Sequence, residues 1–411
     1  MRFFVALILF TLFASMAYSQ SLQEAIDNAP LDSVIILGDG LYEGPITINK
    51  TITLKAKGNN AVIKGNGKGS VITVTAHGAS VRGLTIMGSG ESHEAIDSCV
   101  VVRNANNVVV ADNTIRDCLF GVNFENSNRG RIENNNIKSK DLSLGLRGDG
   151  IRLWYSHSND IRSNRMDSVR DMVYWYSSAN RIEHNHITNS RYSVHFMYAD
   201  RNFVTSNTFE KNSVGIFLMY SHGSRVDNNV VSSAIGAFGI GIGFKEVSDC
   251  IIENNILMYN ARGFYIDQSP YQPGTVNKFT GNKILYNTTG VQLHGTILPS
   301  IFEDNMFSGN IDSISNDTPG SKLDINKWYR NYWDEYEGFD LNKDGFGDTP
   351  YENMAYADKI MQRVPDLKFF YGSPVMSLLN FLMKLLPFSD PELLATDTMP
   401  RLKAGGEEVE Q

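Results

Sequence analysis

The sequence predicts an all-β fold, a right-handed single-stranded parallel β-helix, on three observations. Asn-x-apolar recurs as Asn113-Thr-Ile115, Asn135-Asn-Ile137, Asn164-Arg-Met166, Asn185-His-Ile187, Asn207-Thr-Phe209, Asn229-Val-Val231, Asn255-Ile-Leu257, Asn282-Lys-Ile284 and Asn305-Met-Phe307, at intervals of 21 to 29 residues. A period of this size, with two or three short strands in each repeat, fits one coil of a β-helix. A second column marks a strand in each coil: Gly121-Val-Asn-Phe, Gly150-Ile-Arg-Leu, Met172-Val-Tyr-Trp, Ser193-Val-His-Phe, Gly215-Ile-Phe-Leu, Gly241-Ile-Gly-Phe, Gly263-Phe-Tyr-Ile and Gly290-Val-Gln-Leu. The leucine ladder that a leucine-rich repeat requires is absent, which excludes the main competitor of similar period.

The elements follow in chain order. Arg2, the apolar run Phe3 to Phe13 and the small-x-small sequence Ala17-Tyr-Ser19 read as a cleaved signal peptide over residues 1–19, too short for a confident membrane span. Ser21-Leu-Gln-Glu24 is a capping box opening a short amphipathic helix that would cap the open end of the coils. Alternating strands begin at Val34 and run through Ile46, Ile48, Ile52 and Leu54. The β-helix is expected over 20–317, with insertions at 140–148, 234–239 and 270–274, and insertions on a solenoid tend to share one functional face. In the coils, the repeated asparagines supply sharp turns through left-handed backbone and ladders of amide hydrogen bonds.

From 318 to 411 the repeat gives way to the aromatic segment Trp328-Tyr-Arg-Asn-Tyr-Trp-Asp-Glu-Tyr336, an acidic loop and the apolar stretch Phe369 to Phe388. This reads as a C-terminal cap with short helices. Val375 to Leu386 has helical composition with apolar residues around most of its circumference, fitting a buried cap helix or a foot on a membrane partner.

Charge and cysteines narrow the function. The formal net charge is −8, and no run of Lys or Arg follows the leader, which argues against nucleic acid and anionic lipid as partners. Cys99, Cys118 and Cys250 are odd in number and widely spaced, so they suggest neither a disulfide framework nor a zinc site, and each reads as a small buried hydrophobe.

Strand alternation assigns the second and fourth residues of each marked strand to the core and turns the third and fifth outward. The outward file then contains Asn123 and Glu125, Arg152 and Trp154, Tyr174 and Tyr176, His195 and Met197, Phe217 and Met219, Gly243 and Lys245, Tyr265 and Asp267, and Gln292 and His294. Trp154, Tyr174, Tyr176, His195, Met197, Phe217 and Met219 would form an apolar face of a kind that soluble proteins rarely leave bare. Three uses compete: sugar stacking, Cu(I) binding through the soft donors His195, Met197 and Met219, and docking of a protein. Coverage by an insertion or the tail would make the same residues ordinary packing.

Asp340-Leu-Asn342-Lys-Asp344-Gly345-Phe-Gly-Asp348 matches the start of a calcium loop, with oxygen donors at positions 1, 3, 5 and 9 and glycine at 6. Position 12 is Tyr351, so the bidentate glutamate is missing. The alternative is an acidic turn capped by its own backbone. The remaining histidines, including the His184/His186 pair, read as solvated turn residues. Asp149 with Arg152, and Lys245 with Asp267, are charged neighbours, but no complete catalytic constellation is present.

The segments Gly38-Asp-Gly-Leu-Tyr-Glu-Gly44, Gly148-Asp-Gly-Ile-Arg-Leu-Trp154, Val194-His-Phe-Met-Tyr198, Leu218-Met-Tyr-Ser221, Asn331-Tyr-Trp-Asp334, the loop from Asp340 to Tyr351 and the end segment from Ser373 to Met399-Pro400 together resemble the nitrous oxide reductase maturation family NosD. The resemblance implies a periplasmic, pectin-lyase-like solenoid that catalyses nothing itself. It also implies work with an ABC ATPase and permease (NosF and NosY), a copper-carrying lipoprotein (NosL) and nitrous oxide reductase, whose copper–sulfide centre they assemble. The membrane would be reached only through these partners, and His195, Met197 and Met219 would hold or relay copper. A uronate lyase or epimerase and a structural secreted rod are the other readings of the fold.

Overall fold

The computed structural model describes residues 9–11, 21–237, 239–355, 370, 373–385 and 392–404. The signal peptide expected over 1–19 therefore lies outside the described residues except for Leu9–Thr11, which pair in parallel with Val34–Ile36. The chain divides into two compact units, residues 1–203 and 204–411.

The first unit is a parallel β-solenoid of seven coils, each contributing one short strand to each of three sheets. The first sheet runs from Val34–Leu37 to Arg181–Glu183, the second from Gly40–Glu43 to His186–Thr188. The third runs from Ile46–Ile48 through Phe120–Glu125, Ile151–Trp154 and Asp171–Trp175 to Tyr192–Met197. The helix Leu22–Asn28 opens with the expected capping box, Ser21 and Glu24 exchanging hydrogen bonds, and buries Leu22 and Ile26. Between the sheets Phe124, Leu153, Tyr174 and Phe196 are fully buried in successive coils, and close stacking of like positions is what makes each coil depend on its neighbours.

The asparagine ladder is observed. Asn113 donates through its backbone and side-chain nitrogens to Asn135 Oδ1 (3.1 and 3.0 Å), Asn135 to Asn164 (3.1 and 3.0 Å) and Asn164 to Asn185 (3.0 Å each). The left-handed residue of each turn is the one before the ladder position: Asp112, Asn134, Ser163 and His184 have φ between 55° and 59° or just below it. This corrects the expectation that the ladder asparagines themselves take that conformation. Their amides are buried cross-links, and a separate, more exposed residue bends the chain.

Cys99 and Cys118 form a disulfide, correcting their reading as two free buried hydrophobes. Sequence spacing could not reveal it, because the coil brings residues 19 apart to a Cα separation of 5.5 Å. Cys250 is buried, as expected.

The second unit repeats the plan with third-sheet strands Val214–Met219, Ile240–Lys245, Arg262–Asp267, Thr289–His294 and Asp312–Asn316. Here the sheets continue past the boundary expected at residue 318: Lys327–Tyr329 joins the first sheet and Tyr332–Trp333 the second. Trp328 stacks on Phe302 at 3.8 Å and Trp333 on Phe307 at 4.2 Å, so the aromatic segment extends the core instead of covering it. The antiparallel pair Tyr351–Ala355 and Glu392–Asp397 follows. The helix Pro374–Leu385 buries Met376 but leaves Val375, Leu378, Phe381 and Leu385 exposed. Among the described residues no helix is long and apolar enough to cross a membrane.

Candidate binding face

The third sheet of the first unit carries the densest chemistry. Register pairs Glu125 with Trp154, Trp154 with Trp175, and Trp175 with Met197, so these side chains follow one another from coil to coil on the outer face. The indoles of Trp154 and Trp175 lie 5.4 Å apart, and the Arg152 guanidinium sits over Trp154 at 5.1 Å. Immediately after them come Tyr155, Tyr176 and Tyr198, all at positive φ in the following turn. Their rings stack at 4.8 and 5.3 Å and within 10° of parallel, and Tyr155 and Tyr198 remain 45% and 47% exposed. Two parallel files, one of tryptophans ending in Met197 and one of tyrosines, thus form an aromatic ledge.

Tyr174 does not belong to it. It pairs with the core residues Leu153 and Phe196 and is 0% exposed, while Val173 and Trp175 take the outward positions. The expected register for that coil is off by one. Met172-Val-Tyr-Trp is apolar at every position, so alternation could not choose a face, and the glycine that marks the first position elsewhere is missing. The recurring pairs Trp154-Tyr155, Trp175-Tyr176 and Met197-Tyr198 were the signal that would have fixed it.

Beside the ledge is a pocket of about 190 Å³, lined by His93, Ile96, Phe120, Asp149, Arg152, Arg170, Asp171, Val173, Trp175, Arg191 and His195. The expected insertion touches one lining residue: His93 Nε2 lies 3.0 Å from the Leu146 carbonyl oxygen, and Arg147 donates to the Leu142 and Asn189 carbonyls. A register shift between the Asp171 and Tyr192 strands, a β-bulge, carries Asp171 opposite Tyr192 but Val173 opposite His195. Two buried carboxylates hold two arginines: Arg170 Nε donates to Asp149 Oδ1 at 2.9 Å, and Arg191 donates to both oxygens of Asp171 at 2.9 and 2.5 Å. Burial and the neighbouring Asp171 push the Asp149 carboxyl up, beyond what Arg170 restores. Burial also acts on Asp171, but the nearby His195 and the bonds from Arg191 outweigh it and hold that carboxyl below its ordinary range.

His195 is a pocket residue. It is 8% exposed, stacks on Tyr192 at 4.8 Å, and its Nδ1 is 3.8 Å from Asp171 Oδ2. Met197 lies two residues on, half-buried at the end of the strand beside Trp175. Of the pocket, sequence reasoning had singled out Asp149, Arg152 and His195; Arg170, Asp171 and Arg191 were missed, because their roles depend on which coil lies next to which.

In the second unit, Phe217 is buried against Gly243, where an added Cβ would stand 2.5 Å from the Phe217 ring, and Met219 is half-buried at its strand end. The outward positions further along are tied into ion pairs and hydrogen bonds: Lys245 with Asp267 at 3.8 Å, Gln292 with Asp317 at 2.8 Å and His294 with Asp317 at 2.6 Å. The acidic loop folds on itself. Asp340 accepts from the Asp344 and Gly345 amides, Asn342 from Asp344, Asp344 from Phe346, and Asp348 from Leu341, while Gly345 takes φ 88°. Those oxygens thus accept hydrogen bonds from the loop's own backbone. Tyr351 is buried on Trp333, and among the described residues no group of three or more His, Cys, Asp or Glu is arranged to hold a metal ion.

Fold and site together define a parallel β-solenoid whose outer sheet carries an aromatic ledge and a cationic pocket. The family described as "Periplasmic copper-binding protein (NosD)" matches residues 133–338, half of the sequence, and this chain belongs to that family. It is 25% identical over 394 residues to the probable ABC transporter binding protein NosD of Pseudomonas aeruginosa, covering 89% of this chain and 88% of that one. It is 27% identical over 424 residues to the protein of the same name from Stutzerimonas stutzeri, covering 94% and 91%. Among solved structures it is similar to the A-module of a mannuronan C-5 epimerase from Azotobacter vinelandii (TM-score 0.54, 14% identity, 72% of this chain and 90% of that one). It is similar also to the catalytic domain of a GH87 α-1,3-glucanase (TM-score 0.55, 14% identity, 79% and 69%). At such identities these enzymes share the fold alone.

Proposed function

We propose that this chain is a periplasmic accessory protein, exported by its signal peptide, that works with an ABC ATPase and permease in assembling the copper–sulfide centre of nitrous oxide reductase. The family match across residues 133–338, which contains the ledge and the pocket residues from Asp149 to His195, carries this reading. The names of the two bacterial relatives support the transporter association. The ledge is the docking surface: tryptophan, tyrosine, methionine and arginine are the residues enriched at interface cores, and Trp154, Trp175, Tyr155, Tyr176, Tyr198, Met197 and Arg152 fall together on one face.

Copper is cargo in this reading, passed from a copper lipoprotein to the reductase. The thioethers of Met197 and Met219 are soft, uncharged donors suited to transient Cu(I) contact, and each stands half-buried at the end of an outward strand. His195 serves the pocket more than a copper relay, since its neighbours Arg191 and Tyr192 surround it with a cation and a ring.

The test is the copper content of nitrous oxide reductase purified from cells lacking this chain, complemented with either the native sequence or the Met197→Leu/Met219→Leu double variant. Copper-poor reductase without the chain, restored by the native sequence, is the expected result; full copper loading in its absence overturns the maturation role. Full loading with the double variant removes the two methionines from the route while leaving that role intact.

A further inference from the structure

The pocket in the first unit holds one cation more than its carboxylates neutralise. Arg170 is paired with Asp149 and Arg191 with Asp171. Arg152, the third guanidinium, bonds through one nitrogen to the neutral Asn123 Oδ1 at 3.1 Å and rests on the Trp154 ring. Asp149 and, less strongly, Glu125 also act on Arg152 electrostatically, but Asp149 is bonded by Arg170 at 2.9 Å, and Glu125 is engaged by Arg103 at 2.8 Å and by the Asn123 amide at 2.7 Å. A guanidinium carries five donors in a planar fork, so Arg152 keeps capacity for a planar or tetrahedral group of oxygens.

Two further observations point the same way. Trp175 lines the pocket, and its indole N–H, a donor that can never accept, is buried with no acceptor among the described residues. The walls Ile96, Phe120 and Val173 are apolar, which strengthens any charge interaction made inside. The surplus guanidinium favours an anion over a metal cation, and the volume of about 190 Å³ suits an ion of a few heavy atoms.

We propose that this pocket is a binding site for a small oxyanion, a free carboxylate or tetrahedral oxyanion, held by the Arg152 guanidinium and the Trp175 indole N–H. The site does not depend on the maturation reading. Anion occupancy would neutralise the surplus charge beside the aromatic ledge and fix the plane of Arg152 against Trp154.

Isothermal titration of the purified full chain at low ionic strength, with phosphate, sulfate and acetate added separately, tests it. The expected result is binding of at least one anion with Kd below about 1 mM, which corresponds to roughly 4 kcal/mol. Arg152→Gln weakens binding at least about tenfold, Arg152→Lys weakens it less because charge without the fork remains, and Trp175→Phe weakens it while conserving the apolar wall. If Arg152→Gln fails to fold, as judged by circular dichroism, the Lys and Phe variants carry the test. No binding by any of the three anions, or affinity unchanged in these variants, overturns the proposal.

Discussion

Asn331 donates from both its backbone and its side-chain nitrogen to a single oxygen of Asp397, at 3.0 and 2.8 Å. Asp397 thereby occupies the position that the next asparagine would hold in the ladder running from Asn207 through Asn305, and Trp333 Nε1 donates to the same oxygen at 3.1 Å. The ladder thus ends on a carboxylate supplied from 66 residues away. Asp397 is fully buried and its other oxygen accepts from the Met399 amide, so Asp397→Ala takes this acceptor from four N–H groups, of which the three on the shared oxygen are buried and cost about 1 to 3 kcal/mol each. Urea unfolding is expected to show a loss of more than about 3 kcal/mol, largely recovered in Asp397→Asn. An alanine variant as stable as the native chain would show that the tail does not close the ladder.

Trp154 is half-buried and packs on Trp175, Tyr155 and Tyr176 from the outer side of the sheet. Trp154→Ala is therefore expected to leave the melting temperature nearly unchanged while weakening association with the purified ABC partner by about 2 kcal/mol, or roughly 30-fold. Equal affinity measured by titration would take the ledge out of the docking surface.

Tyr174 is enclosed by the core, and its hydroxyl has no acceptor among the described residues. Tyr174→Phe removes an unsatisfied group and is expected to be neutral or stabilising by up to about 1 kcal/mol. Tyr174→Ala opens a cavity and costs about 3 to 5 kcal/mol. Near-native stability in the alanine variant would return Tyr174 to the outer face.

Asp149 and Asp171 are expected to give the stability opposite pH slopes. Between the ordinary aspartate value, about 3.9, and the raised value of Asp149, the folded chain keeps a proton that the unfolded chain has lost. Stability from this group therefore falls as pH rises through that window. Asp171 is depressed, so its contribution is present above about 3.9 and is lost as pH falls through the folded value. Urea melts from about pH 3 to 7 should show Asp149→Asn flattening the upper window and Asp171→Asn flattening the lower one. Slopes identical to the native protein's would contradict the assignment.

The Cys99–Cys118 bond closes a loop across 19 residues, and the loop-entropy relation gives about 3 kcal/mol for its loss in a Cys99→Ala/Cys118→Ala variant. Thermal unfolding with and without reductant reads the same quantity. Because Cys118 is two residues from Phe120 and Cys99 three from Ile96, the variant is also expected to loosen the pocket wall, visible as faster amide exchange over residues 91–97.

The repeat by itself determined the coil, the ladder and, within the first unit, the outer-face positions of Trp154 and Met197, because side-chain alternation and coil period are local properties of the chain. It also placed the capping box and the left-handed glycine of the acidic loop, which depend on near neighbours only. Tyr174 was misplaced where four apolar residues in a row removed the local signal. The disulfide, the Asp149–Arg170 and Asp171–Arg191 pairs and the Asn331–Asp397 closure could be decided only by the tertiary structure. Each joins residues 19 to 66 apart whose contact exists only once coils are stacked in register, and register across coils is set by hydrogen bonds and packing that no single repeat contains.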